Sequence, residues 1–79
     1  MWIPLTNCSQ QLRLRAKVRE KAGQYSIIYD VIEIEFDQYK LAIVSKDDIP
    51  VTESYQNVLT CAQLIKYNFD VDDSPPKPL

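Results

Sequence analysis

Two runs rich in β-branched and aromatic residues, Tyr25 to Phe36 and Tyr39 to Ser45, are separated only by Asp37-Gln38. Such side chains pack well on a pleated surface, and two residues is a common length for a hairpin connection. The sequence therefore predicts a central hairpin, with Phe36 opposite Tyr39, Glu35 opposite Lys40, Ile34 opposite Leu41 and Ile32 opposite Ile43. Upstream, Leu12 to Arg19 alternates strictly: Leu12, Leu14, Ala16 and Val18 fall on one side, Arg13, Arg15, Lys17 and Arg19 on the other. Period-two alternation argues a strand with one wet face. Lys21-Ala22-Gly23 reads as a three-residue loop whose left-handed last position suits glycine. That loop sets Glu20 opposite Gln24 and Arg15 opposite Tyr29.

After a polar turn at Lys46-Asp47-Asp48, the pattern changes. Thr52 reads as a helix cap with Glu53 in the first turn, and Val51, Tyr55, Val58, Leu59, Ala62 and Ile65 fall on one stripe at helical spacing. Leu64 lies opposite that stripe, and Lys66 and Asn68 suit the closing turn. Phe69 and Val71 could add a short edge strand. The fold class expected is α+β: a three-stranded antiparallel β-meander followed by one C-terminal amphipathic helix packed on one face (βββα). Residues 1–10 form an N-terminal arm, residues 11–71 a single domain, and residues 72–79, with three prolines, a mobile tail. Seventy-nine residues exclude a second independent core, because a chain of this size buries only about 60% of its unfolded surface.

The composition excludes several activities. There is no histidine, and Cys8 and Cys61 alone cannot complete a zinc site. One glycine cannot build a phosphate-cradling loop. The net charge of −2 gives the whole molecule no attraction for nucleic acid or anionic lipid. Met1-Trp2-Ile3-Pro4 lacks the basic start and long apolar centre of a secretory signal, so the chain is expected to be cytoplasmic, without membrane contact. In a reducing compartment, free thiols are expected over a Cys8–Cys61 disulfide, and the Asn7-Cys8-Ser9 glycosylation pattern has no meaning there.

Asp30 breaks the pattern, because the expected register puts it on the core face between Ile28 and Ile32. A bulge that swings it out, or a place at the sheet margin, is expected over a buried catalytic carboxylate. Asp30 with Glu33 and Glu35 lacks the spacing of a metal nuclease, and neither cysteine has a base beside it in sequence. No enzyme, metal or cofactor is expected.

The outer sheet face is the more informative surface. It is expected to carry Arg13, Arg15, Lys17 and Arg19, then Tyr25, Ile27, Tyr29 and Val31, then Ala42 and Val44. That is more apolar surface than a face meant only for water normally holds. The function expected is a small non-enzymatic protein-interaction module, an adaptor, subunit or inhibitor, binding another protein or itself through this face or an open strand edge. The alternative is a nucleic-acid binder in which the basic row grips phosphates and the tyrosines stack bases.

Overall fold

The computed structural model describes residues 1–22, 24–52 and 55–72. The loop glycine Gly23, the first-turn Glu53 and the tail from Asp73 onward lie outside the described residues. Among those described, the chain forms seven strands and two short helices: β1 (Trp2–Pro4), α1 (Cys8–Gln11), β2 (Lys17–Ala22), β3 (Tyr25–Glu35), β4 (Gln38–Lys46), β5 (Ile49–Pro50), β6 (Gln56–Thr60), α2 (Cys61–Lys66) and β7 (Asp70–Asp72). All strand pairs are antiparallel, in the order β1-β7-β2-β3-β4-β5, with β6 alongside the first part of β4. This corrects the expected βββα fold. The sheet is much larger, and the long C-terminal helix does not form.

The helical stripe fails because its first half is a strand. Gln56 to Thr60 lies along β4, pairing Leu59 with Tyr39 and Asn57 with Leu41. The helix starts only at Cys61, where Thr60 and Gln63 form a reciprocal capping box. It ends one turn and a half later. Asn68 sits at φ 58°, the Phe69 N–H donates to the Leu64 carbonyl at 3.1 Å, and the Asn68 N–H donates to the Ile65 carbonyl at 3.1 Å. This is a Schellman closure, and it folds Phe69 back onto Leu64. The chain then returns as β7 between β1 and β2, so the N-terminal arm becomes an edge strand of the sheet.

The central hairpin forms, but both of its neighbouring turns differ from expectation. Ala22 pairs with Tyr25 and Lys17 with Asp30, so β3 is shifted by an odd number of residues against β2. An odd shift turns every side chain of a strand to the opposite face. Tyr29 and Val31 are therefore buried and Ile32, expected in the core, is exposed. A register shift between Val31 and Glu33 then restores the expected parity, so that Ile34 pairs with core-facing Tyr39 yet is 37% exposed near the strand end, and Phe36 lies in the turn. At the other end Glu35 pairs with Gln38, which makes Phe36-Asp37 the turn. Phe36 takes φ 53° there and is 96% exposed. A left-handed conformation costs a residue with a Cβ about 1–2 kcal/mol, so glycine would have marked this turn where phenylalanine hides it. The expected strand at Leu12 to Arg19 begins only at Lys17. Leu14 and Arg15 turn the chain onto the sheet, with Arg15 at φ 70° and its N–H donated to the Val31 carbonyl at 2.7 Å.

One face of the sheet carries the core. Val18, Tyr29, Val31, Tyr39, Leu41 and Val71 are covered by Leu5, Cys8 and Leu12 from the α1 region and by Leu64 and Phe69 from the α2 region. Cys8 and Cys61, the first residues of the two helices, are joined by a disulfide with a Cα separation of 6.0 Å. The bond corrects the expectation of free thiols: compartment reasoning carried no information on how near the two residues lie. The side chain of Gln11 fixes the approach to α1, accepting from the Thr6 and Asn7 N–H groups at 2.7 Å each and donating to the Pro4 carbonyl at 3.1 Å.

Candidate interaction surface

The face away from the helices is a lattice of ion pairs. Strand β2 has Val18 in the core, so Lys17, Arg19 and Lys21 point outward. Each meets a carboxylate on a neighbouring strand. Lys17 Nζ lies 2.9 Å from Asp30 Oδ1, Arg19 Nη2 2.8 Å from Asp70 Oδ2, and Lys21 Nζ 3.7 Å from the same Asp70 oxygen. Farther along, Lys40 Nζ is 3.6 Å from Glu33 Oε2. The Arg19 guanidinium also stacks 4.7 Å from the centroid of the Trp2 ring. Because Arg19 and Asp70 are opposite each other in register and mostly buried, this contact ties β1, β7 and β2 together. The exposed pairs each contribute under about 1 kcal/mol, and their effect is to leave this face electrically quiet.

The residues expected to form one docking surface are thus divided among several places. Lys17 and Arg19 stand on the outer face with Trp2. Arg13 and Arg15 are exposed in the connection before β2. Tyr25 is exposed at the far end of β3, under Lys46 Nζ at 4.7 Å. Ile27 is half-buried against the core, and Tyr29 and Val31 are buried within it. Asp30 is on the outer face, paired with Lys17, and Glu33 on the same face pairs with Lys40. No cluster of metal-ligating side chains occurs among the described residues. No helix among them is long and apolar enough to cross a membrane.

Within the core, the Tyr29 phenol is pushed up to about 12, first by burial and then by the charge of Glu20, whose carboxylate accepts the Tyr29 hydroxyl at 3.5 Å. The native state then holds this proton more tightly than the unfolded chain, whose phenol titrates near 10.0. The stability gained is complete below the unfolded value and is lost as pH rises through the folded one. Urea titrations at increasing pH are expected to show a decline setting in above about pH 10, and Tyr29→Phe to lessen its slope. An unchanged slope in the variant would assign the decline to other groups.

The edges of the sheet differ more than its faces. Strand β1 has Pro4 at its end, and β5 is two residues long and ends in Pro50. Short edge strands and proline discourage pairing with another chain. Strand β6 has neither guard. Its sequence, Gln-Asn-Val-Leu-Thr, contains no charge and no proline. Its hydrogen-bond phase is set by two flanking contacts: the Ile43 N–H donates to the Tyr55 carbonyl at 3.0 Å, and the Cys61 N–H donates to the Asp37 carbonyl at 3.2 Å. Odd-numbered residues of this segment therefore bond to β4, and the even-numbered ones turn their N–H and C=O groups outward. Thr60 agrees with this phase, since its N–H is taken by the Gln63 side chain at 2.9 Å. Gln56 and Val58 have no such partner among the described residues, and Val58 is 50% exposed beside an open hollow of about 200 Å³ that Glu33 and Lys40 also line.

Neither Gln56 nor Val58 stands out as a contact residue in the sequence, where Val58 falls on the helical stripe. A signal for them was present in Thr60-Cys-Ala-Gln63, the spacing of a capping box, which starts a helix at Cys61 and frees the preceding residues to extend. Comparison with protein-family models, with curated proteins and with solved structures finds no match to this chain.

Proposed function

We propose that this chain is a non-enzymatic protein-interaction module that takes up an extended polypeptide along β6. The observation that carries the reading is the unguarded edge: outward backbone groups at Gln56 and Val58 on a strand with no charge and no proline. Added strands bind through main-chain hydrogen bonds, with side-chain pockets setting preference. The exposed side chains of Val58 and Tyr55 supply the apolar contact. Each backbone bond adds about 0.5–1.5 kcal/mol net, which places such an edge in the range of moderate affinity.

Selection of peptides from a displayed random library against the immobilised chain tests this. Binders are expected to be short, extended and alternating. Their binding should survive Val58→Ala, which keeps the backbone donor, and fail with Val58→Pro, which removes it. Proline at this position leaves pairing with β4 intact, because the Val58 N–H points away from that strand. Failure to enrich any peptide, or binders indifferent to Val58→Pro, would overturn the proposal.

A further inference from the structure

Resting on that reading, we infer that the strand received by β6 is β6 of a second copy of the same chain, paired antiparallel about a two-fold axis at Val58. The edge is suited to itself. With Val58 on the axis, its N–H and C=O exchange bonds with the counterpart Val58, and Gln56 comes opposite the counterpart Thr60. Thr60 is the cap of α2, with its N–H taken by the Gln63 side chain and its carbonyl by the first turn of the helix, so the pairing rests on the two bonds exchanged at Val58. The pairing brings uncharged side chains together throughout, so no like charges face each other across the new contact.

The nearest charges confirm that the geometry is tolerable. Lys40 stands beside Val58 on the outer face and is held by Glu33. Its counterpart would lie three strand spacings away, about 14 Å, beyond the screening length of about 8–10 Å at ordinary ionic strength. Val58, half-exposed in the single chain, would meet its own twin, and two β-branched side chains opposite each other suit a pleated surface.

Edge number decides between a closed pair and a growing fibre. Head-to-tail stacking of sheets requires two open edges on each molecule, whereas pairing β6 with itself uses a single edge and closes. The opposite side of the sheet, β1 with Pro4, is the guarded one. An asymmetry of this kind favours a symmetric pair. A strand-edge contact buries less than the roughly 1,200 Å² of a permanent interface, so the pair should form and separate with concentration.

Sedimentation equilibrium across a wide concentration range tests the inference on the full chain. The wild type is expected to pass from monomer to dimer, and Val58→Pro to weaken association by about tenfold to a hundredfold with little change in melting temperature. Val58→Lys, which sets two like charges on the axis and leaves the backbone unaltered, is the second variant and should weaken the dimer as well. A wild type that stays monomeric throughout, while library peptides still bind in a manner sensitive to Val58→Pro, would overturn the second copy and leave the edge reading standing. Failure of both measurements would remove both. A dimer undisturbed by Val58→Lys would place the contact elsewhere and also overturn the inference.

Discussion

Opening the Cys8–Cys61 disulfide is expected to lower the stability of the chain by about 4 kcal/mol. The bond closes a sequence separation of 53 residues, and the chain-entropy relation for a loop of that length gives this magnitude. Total stability for a domain of this size is typically about 4–12 kcal/mol, so the loss is between a third and the whole of it. The structure gives the effect a specific route. The α1 helix has four residues and α2 has six, and helices so short do not hold together on their own. The disulfide joins their first residues, and both helices lie over the same core. Without it, the lid formed by Leu5, Leu12 and Leu64 loses its covalent tie and is held by packing and by the bond from the Leu5 N–H to the Phe69 carbonyl at 3.0 Å. Thermal unfolding with and without reductant, and of Cys8→Ala/Cys61→Ala, measures the effect. Alanine is the better replacement, because Cys8 is buried and a serine hydroxyl would find no partner there. At about 4–8 °C per kcal/mol the melting temperature should fall by well over 10 °C. Reduced and oxidised forms melting within a degree or two of each other would show that the bond contributes little.

How much of this architecture is legible in the sequence depends on how each segment marks its turns. Alternation announced the wet side of β2 correctly at Lys17, Val18 and Arg19, and the β-branched runs announced the central hairpin. Asp47-Asp48, with both residues left-handed at φ 52° and 65°, joins β4 to β5 where a polar turn was expected. Register is not marked in the sequence. A strand keeps its alternation whichever face it turns to the core, so Ile28, Ile32 and Ile34 fit the buried side as well as Tyr29 and Val31 do on pattern alone. The turns and the two register shifts of β3 against β4 decide between them. One of the two critical turns runs through Phe36, a residue that ordinarily argues against a turn. The docking surface imagined around Tyr29 and Val31 depended on that choice of face. The β6 edge could not be seen until Gln56 to Thr60 was recognised as a strand. Its five residues carry a helical spacing by coincidence, with Val58 and Leu59 falling at intervals that also suit a stripe.

Truncation of Leu64 to alanine is expected to cost about 2–5 kcal/mol, whereas Ile65→Ala should cost under about 1. The order is the reverse of what a long helix with its stripe through Ile65 would give. In the structure Leu64 has no exposed surface, and Phe69 folds back onto it through the closure at Asn68, while Ile65 is 41% exposed. Removing the Leu64 side chain opens a cavity beneath α2 that the surroundings cannot close, since the disulfide fixes one end of the helix and the Schellman bonds fix the other. The start of the helix supplies a companion test. Thr60→Ala removes the cap that accepts the Gln63 N–H at 3.3 Å and should cost about 1 kcal/mol; Thr52→Ala, exposed and outside any helix, should be near neutral. Chemical denaturation of the four single variants separates the two architectures without further structural work. If Ile65 and Thr52 proved the sensitive positions, Gln56 to Thr60 would be helical, and β6 would have no edge for a strand to join.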